Sequence, residues 1–89
     1  MPEDWYEEGS VEDKVEWAEE WVPGFNVNIN WLAEDGEPDV RAALARNKNI
    51  PITIIKKLAK DKDDNVRSNI SFNPSTPKEI LDKLKKEKS

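Results

Sequence analysis

Apolar residues along this chain recur in blocks that repeat at a fixed distance. Shifting the sequence by 26 positions, without a gap, places Leu32 on Leu58 and Val40 on Val66. The same shift aligns polar and proline positions, pairing Asp35 with Asp61, Arg41 with Arg67, Asn47 with Asn73 and Pro51 with Pro77. A fixed period of this length is typical of stacked supersecondary units. The sequence therefore predicts two successive repeats.

Each repeat has room for two short helices. The first helix is predicted to begin near Pro38 in the earlier repeat and near Asn65 in the later one. Val40 and Leu44 are four residues apart and so share a helix face. Proline suits the first helical turn, where its missing N–H costs no hydrogen bond.

The second helix of the later repeat carries a predicted start signal. Thr76 is expected to be the N-cap, Pro77 the first helical residue, and Glu79 the partner that closes a capping box. Asn47 and Asn73 precede the second helices of the two repeats and are interpreted as turn residues that bond the local backbone.

An amphipathic helix is predicted within "SVEDKVEWAEEWVPG". Ser10 and Asp13 resemble a capping box, and the Pro-Gly pair at 23–24 ends the pattern. The expected apolar stripe consists of Val11, Val15, Ala18 and Val22. Residues 25–35 align with 51–61 and are interpreted as the last helix of a degenerate first unit.

The repeats resemble the leucine-rich repeat variant family, whose units run roughly as "LAxDxxxxVRxxVAxNPxxPxxLLxxLA". The segment "LAKDKDDNVRSNISFNPSTPKEILDKL" matches nearly throughout, and "LAEDGEPDVRAALARNKNIPITIIKKL" matches apart from Lys48 in the proline position. The resemblance covers residues 32–84. It implies an α-helix alternating with a shorter, 3₁₀-like helix in a right-handed superhelix, and an interaction scaffold rather than a chemistry. Some family members carry a cysteine cluster that binds iron–sulfur, but this chain has no cysteine.

The predicted fold class is all-α: one domain, a short right-handed helical-repeat solenoid with an N-terminal helical cap. Its expected parts are a cap with a degenerate first unit (1–31), a first repeat (32–57), a second repeat (58–84) and a charged tail (85–89). Two repeats are fewer than the three or so that such a stack needs. The N-terminal part is therefore expected to complete the stack.

The composition argues against enzyme activity. Among the 89 residues there is no cysteine and no histidine, which removes thiolate metal ligands and the commonest general base. No Gly-rich phosphate loop or nucleophile elbow is present. We therefore expect a non-enzyme without cofactor or metal. No apolar run approaches the roughly 20 residues that span a bilayer, and the acidic N-terminus does not resemble a signal peptide, so a cytoplasmic protein without membrane contact is expected.

Charge is divided unevenly along the chain. Residues 1–40 contain thirteen acidic residues and one base, Lys14, for a net charge of −12, whereas residues 41–89 contain thirteen bases and six acids, for +7. Such asymmetry suggests a charged partner. The asymmetry also has a non-functional explanation, in which the acidic cap folds against the basic repeats or pairs head to tail with another copy of the chain.

Aromatic residues in the acidic half allow two interpretations. Trp17 and Trp21 lie off the valine stripe, where they either cover the end of the stack or anchor a partner; we favour the first. Trp5 and Tyr6, near the N-terminus, are expected to be more exposed. The candidate partner-binding residues are Trp5, Tyr6, Glu12, Glu16, Trp17, Glu20 and Trp21.

A second candidate surface is basic. Lysines recur close to the repeat offset and would form a ridge on successive second helices, at Lys56, Lys57, Lys60, Lys83 and Lys86. A basic ridge could follow a nucleic-acid backbone. Lysines near helix C-termini also complement the helix dipole and aid solubility, and this interpretation is favoured.

The repeated polar residues are assigned to structure. They are Asp35, Arg41, Asn47, Asp61, Arg67 and Asn73. A row of arginines could bind phosphate or carboxylate ligands, but residues that recur with the repeat usually serve its packing.

Three functions remain open. The first is a non-enzymatic module that binds an unknown protein. The second is an acidic antagonist, such as an immunity, antitoxin or anti-defence protein that imitates nucleic acid. The third is weak, non-specific nucleic-acid binding through the lysine ridge.

Overall fold

The computed structural model describes residues 4–88, with side chains from Tyr6 to Lys86. Between residues 4 and 88 the chain forms helices and no strand, so the all-α prediction is confirmed. The helices are α1 (Asp4–Glu7), α2 (Val11–Glu20), α3 (Ile29–Ala33), α4 (Pro38–Ala45), α5 (Ile52–Ala59), α6 (Asp64–Phe72) and α7 (Lys78–Lys88). None of these helices is both long and apolar enough to cross a membrane.

The helices pack in two rows. In one row α2 packs against α4 and α4 against α6; in the other α3 packs against α5 and α5 against α7. The rows face each other across contacts such as α3 with α4 and α5 with α6. The largest fully buried side chains are Leu32, Val40, Leu44, Ile55, Leu58, Val66 and Ile70. Burying each such side chain contributes about 1.5–3 kcal/mol to the stability of the fold. Because these side chains come from both rows, neither row can bury its apolar face without the other.

The predicted starts of the first helices agree with the structure. Pro38 occupies the first turn of α4, as expected. Helix α6 begins at Asp64, one residue before the predicted start, because the side chain of Asp63 accepts hydrogen bonds from the N–H groups of Asn65 and Val66. A side-chain cap of this kind satisfies donors that have no partner within the helix.

The predicted capping box at Thr76 is wrong. Helix α7 begins at Lys78, and the carbonyl of Pro77 accepts the N–H of Leu81, which makes Pro77 the N-cap. The Thr76 hydroxyl instead donates to the carbonyl of Ile70, at 2.7 Å. Thr76 is buried at the junction of α6 and α7, so its hydroxyl serves the end of α6.

The capping box of α2 is confirmed, but its predicted apolar stripe is wrong in part. Ser10 accepts the N–H of Asp13, and the Asp13 carboxylate accepts the N–H of Ser10. Val11 and Val22 are exposed at either end of the helix. The buried face shares Ala18 with the predicted stripe and otherwise holds Lys14 and Trp21. A tryptophan buries more area than a valine, so the aromatic side of the helix faces the core.

Candidate functional site

Two asparagines join neighbouring helices of the first row. The side-chain amide of Asn47 donates to the carbonyls of Ala18 and Trp21, at 3.0 and 2.7 Å. The amide of Asn73 donates in the same way to the carbonyls of Ala45 and Asn47, at 2.8 and 3.0 Å. Each amide oxygen also accepts the backbone N–H two residues ahead. Both side chains are buried, and the amide nitrogen and oxygen of each are hydrogen-bonded to backbone groups, so neither is available to a ligand.

Arg41 clamps the loop that follows α5. Its Nε and Nη2 atoms donate to the two carboxylate oxygens of Asp61, at 2.7 and 3.2 Å, and its Nη1 donates to the carbonyl of Asp35. The side chains of Arg41 and Asp61 are each only 9% exposed. Arg67 makes the corresponding bond to the carbonyl of Asp61 but pairs with the exposed Asp64. Arg41 is therefore unavailable to a ligand.

Asp35 has different partners from Asp61. The hydroxyl of Tyr6 donates to Asp35 Oδ2 at 2.6 Å, and the backbone N–H of Glu37 donates to Oδ1 at 2.9 Å. Lys14 Nζ lies 3.6 Å from Oδ2 and 4.8 Å from the centre of the Tyr6 ring. Sequence reasoning missed this cluster. The one available signal was that Lys14 is the sole base among the first forty residues.

The expectation that Tyr6 is exposed is wrong. Its side chain is 2% exposed, and its ring packs against the rings of Trp17 and Trp31, with centroids 5.7 and 5.5 Å away. Burial raises the pKa of Tyr6 far above the ordinary value of 10.0, and the hydrogen bond and charge of Asp35 raise it further. Tyr6 therefore stays protonated and serves the core rather than a partner.

Trp21 is also removed from the surface. It is 8% exposed, and its indole N–H donates to the carbonyl of Val27 at 3.0 Å. Trp17 is partly buried against the core. The side chain of Trp5 lies outside the described residues. Trp21 cannot serve as the exposed anchor considered above, because its ring and its polar atom are both engaged within the fold.

The acidic candidates remain on the surface. Glu12, Glu16 and Glu20 are exposed and spaced four residues apart, which places them on one face of α2. We call this set the acidic face. None of the three forms an ion pair with any side chain that the structure describes. Glu19, beside them, pairs instead with Arg46 of the α4 C-cap at 3.0 Å.

The lysine ridge is exposed on two helices that pack together, α5 and α7. Its members are Lys56 and Lys57 of α5, Lys60 at the α5 C-cap, and Lys83 and Lys86 of α7. Lys57 forms an ion pair with Glu34, at the C-cap of α3. Part of the ridge is thus neutralised by the acidic half of the chain.

The end of the molecule formed by α6 and α7 has two adjoining depressions. One, of about 680 Å³, is lined by Lys60, Asp61, Lys62, Asp64, Asn65, Arg67, Ser68 and Leu84. The other, of about 250 Å³, is lined by Ser71, Phe72, Leu81, Leu84 and Lys85. Leu84 borders both. Phe72 is 81% exposed, the highest value among the exposed large apolar side chains that the structure describes.

No group of three or more carboxylate side chains within the described part of the chain is placed to hold a metal ion. No family model, curated protein or solved structure matches the chain. The charged and apolar surfaces of the molecule are therefore the guide to its function.

Proposed function

We propose that the chain is a non-enzymatic protein-binding module built as a short helical-repeat solenoid, as the resemblance to the leucine-rich repeat variant family implies. The recurrence of the same side-chain hydrogen bonds supports the solenoid. Asn47 and Asn73 bridge successive helices alike, and Arg41 and Arg67 each bond the carbonyl of the aspartate six residues earlier. These contacts use the repeated polar residues for packing and leave the exposed side chains that do not repeat for recognition.

The acidic face of α2 is the observation that supports protein binding. Glu12, Glu16 and Glu20 are exposed like charges at a spacing of four, which costs about 0.2–0.5 kcal/mol per adjacent pair in an isolated helix. A basic partner surface would remove this repulsion and be attracted over long range. The module is therefore expected to bind a basic protein through α2.

The same face favours a second function, that of an acidic antagonist. An immunity, antitoxin or anti-defence protein that blocks a basic nucleic-acid-binding surface needs a rigid row of carboxylates. Helix α2 supplies such a row because its opposite side is fixed by the buried Ala18 and Trp21. Nucleic-acid binding through the lysine ridge has less support, since Lys57 is already paired with Glu34.

The test is recovery of partners from a lysate of the source cells with the tagged chain, with and without nuclease. A triple variant, Glu12→Lys, Glu16→Lys and Glu20→Lys, is compared with a control of equal charge change, Asp39→Lys, Glu79→Lys and Asp82→Lys. All six positions are exposed. Placing like charges across an interface costs several kcal/mol, so the first variant should bind about 100-fold more weakly or worse. Thermal melting checks that both variants fold.

A basic protein that survives nuclease, binds the control and is lost with the α2 variant would support the proposal. Equal recovery by both variants would contradict a role for the acidic face. Recovery of nuclease-sensitive proteins alone would favour the lysine ridge.

A further inference from the structure

The end formed by α6 and α7 exposes an apolar patch centred on Phe72, at a position where α4 is followed by a charged residue. A shift of 26 residues places Phe72 on Arg46, which pairs with Glu19 at the contact between α4 and α2. Phe72 is 81% exposed and borders a depression shared with Leu81, Leu84 and Lys85. Burying a phenylalanine side chain contributes about 1.5–3 kcal/mol, so this patch is a favourable place for a second surface to dock.

Basic side chains adjoin the patch. Lys60, Lys62 and Arg67 line the next depression, which meets the patch at Leu84. The two carboxylates that also line this depression are each paired with an arginine, Asp61 with Arg41 and Asp64 with Arg67, so Lys60 and Lys62 give it a positive charge. Arg67 corresponds to Arg41, but its partner is the exposed Asp64 rather than a buried carboxylate. An arginine with a solvent-exposed partner can exchange it for another carboxylate at little cost. We call these residues, together with Phe72, Leu81 and Lys85, the basic end.

The opposite end of the first row has the opposite charge. Helix α2 is the first helix of that row, and its acidic face points away from the core. One molecule therefore presents an acidic surface at one end and an apolar patch with adjoining basic side chains at the other.

We propose that copies of this chain associate head to tail, with the acidic face of one copy against the basic end of the next. Charge complementarity selects this arrangement. A symmetric contact between two basic ends would place the positive charges of Lys85 and its neighbours against the same charges of the second copy. A symmetric contact between two acidic faces would likewise place glutamates against glutamates, and like charges across an interface repel. A head-to-tail contact uses two different surfaces and so builds open chains or rings of copies rather than symmetric dimers. The inference goes beyond the proposed function, because it requires no other protein.

The test begins with sedimentation velocity of the purified chain over a range of concentrations. At low salt the average mass should rise with concentration beyond a dimer. At about 1 M salt, where the Debye length is about 3 Å, the association should weaken at least about tenfold. A chain that stays monomeric at millimolar concentration in low salt would overturn the proposal, whatever the behaviour of any variant.

Two variants then identify the surfaces. One carries Glu12→Lys, Glu16→Lys and Glu20→Lys; the other carries Phe72→Ser and Lys85→Ser. All five positions are exposed, so both variants should fold, which circular dichroism checks. Each variant alone should be monomeric. Mixed together they should form a one-to-one complex and nothing larger, because only one intact acidic face and one intact basic end can meet.

That mixing result separates the proposal from its alternatives. Closed dimers of the α2 variant alone would show a symmetric contact through the basic end. Closed dimers of the other variant alone would show a symmetric contact through the acidic face. Unchanged association of both variants would place the contact elsewhere. Each of these outcomes would overturn the head-to-tail arrangement.

Discussion

Two aspartates in equivalent loops of this molecule are held by different chemistry. Asp35 and Asp61 are 26 residues apart, and in each the Oδ1 atom accepts the backbone N–H two residues ahead, at 2.9 Å. The Asp61 carboxylate also accepts two hydrogen bonds from the guanidinium of Arg41. Asp35 receives the hydroxyl of Tyr6 and lies beside the ammonium of Lys14.

The difference follows from where each aspartate lies in the row of helices. The position 26 residues before Arg41 is Val15, so α2 has no arginine to offer Asp35, and the adjoining Lys14 and the Tyr6 of α1 take its place. Trp21 similarly stands where Asn47 would fall, and its N–H serves the loop at Val27. The repeats use polar side chains to join neighbours, whereas the N-terminal helices use aromatic ones. Aromatic rings also cover apolar core surface. The end of a row needs such a cover because its last helix has a neighbour on one side only, whereas a helix in the middle is covered on both sides.

The largest expected effect comes from removing the arginine clamp. Arg41→Met leaves the Asp61 carboxylate buried without its charged partner, so the free energy of unfolding should fall by about 3–5 kcal/mol. Arg67→Met is the matched control from the next repeat. Its partner Asp64 is exposed, so we expect a loss of about 1 kcal/mol, mainly from the lost bond to the Asp61 carbonyl. Urea unfolding followed by circular dichroism measures both.

A second variant distinguishes a buried charge from lost packing. Combining Arg41→Met with Asp61→Asn removes both charges, keeps an acceptor for the N–H of Asp63 and should recover most of the lost stability. If the double variant is no more stable than Arg41→Met, the clamp acts through shape rather than charge. Equal losses for Arg41→Met and Arg67→Met would remove the distinction between the buried and the exposed pair.

The repeat explains how much of this fold the sequence could predict. The 26-residue period aligns Leu32 with Leu58 and Val40 with Val66, all of which are buried, and it placed α4 and α6 to within a residue. These aligned apolar positions are buried alike in the structure. Their burial can therefore be inferred from the pattern alone.

The N-terminal cluster could not be predicted in this way. Tyr6 is buried because its hydroxyl reaches Asp35, 29 residues away, and no period relates these two positions. Lys14 lies on the buried side of α2 although lysine is rarely buried, because Asp35 and the Tyr6 ring surround its ammonium. The predicted capping box at Thr76 is wrong for a related reason. Its hydroxyl donates to the carbonyl of Ile70 in the preceding helix, a contact that the local sequence pattern does not indicate.

A smaller effect is expected at the N-terminal aspartate. Tyr6→Phe keeps the ring packed between Trp17 and Trp31 and removes only the hydroxyl that bonds Asp35. Hydrogen bonds to charged groups contribute about 1.5–3 kcal/mol. Because Lys14 and the Glu37 N–H still contact the carboxylate, we expect the lower part of that range. A loss as large as that of Arg41→Met would show that Lys14 gives Asp35 no support.

The pH dependence of the same variant provides a separate check. Tyr6 has a pKa raised above 10.0 in the folded chain, so its contribution to stability is fully present below pH 10.0 and is lost as pH rises above that value. Above pH 10.0 the free energy of unfolding should fall by up to about 1.4 kcal/mol per pH unit, because the unfolded chain releases a proton that the folded chain retains. Tyr6 is the chain's one tyrosine, so tyrosinate absorbance should appear together with unfolding.

Comparison with Tyr6→Phe separates the contribution of this one hydroxyl from every other effect of high pH. The difference in unfolding free energy between the two proteins should shrink and change sign as pH rises above 10.0. A difference that stays constant with pH would contradict a buried, protonated Tyr6.

The smallest effect is expected where α2 and α4 are joined at the surface. Arg46 and Glu19 form an ion pair, but their side chains are 59% and 49% exposed. Glu19→Gln should therefore lower the free energy of unfolding by about 0.5 kcal/mol or less. At about 1 M salt this difference should vanish through screening, whereas the effect of Arg41→Met should persist, since buried pairs are screened much less. If Glu19→Gln instead costs as much as Tyr6→Phe, surface charge and not the aromatic cluster holds the N-terminal helices to the repeats.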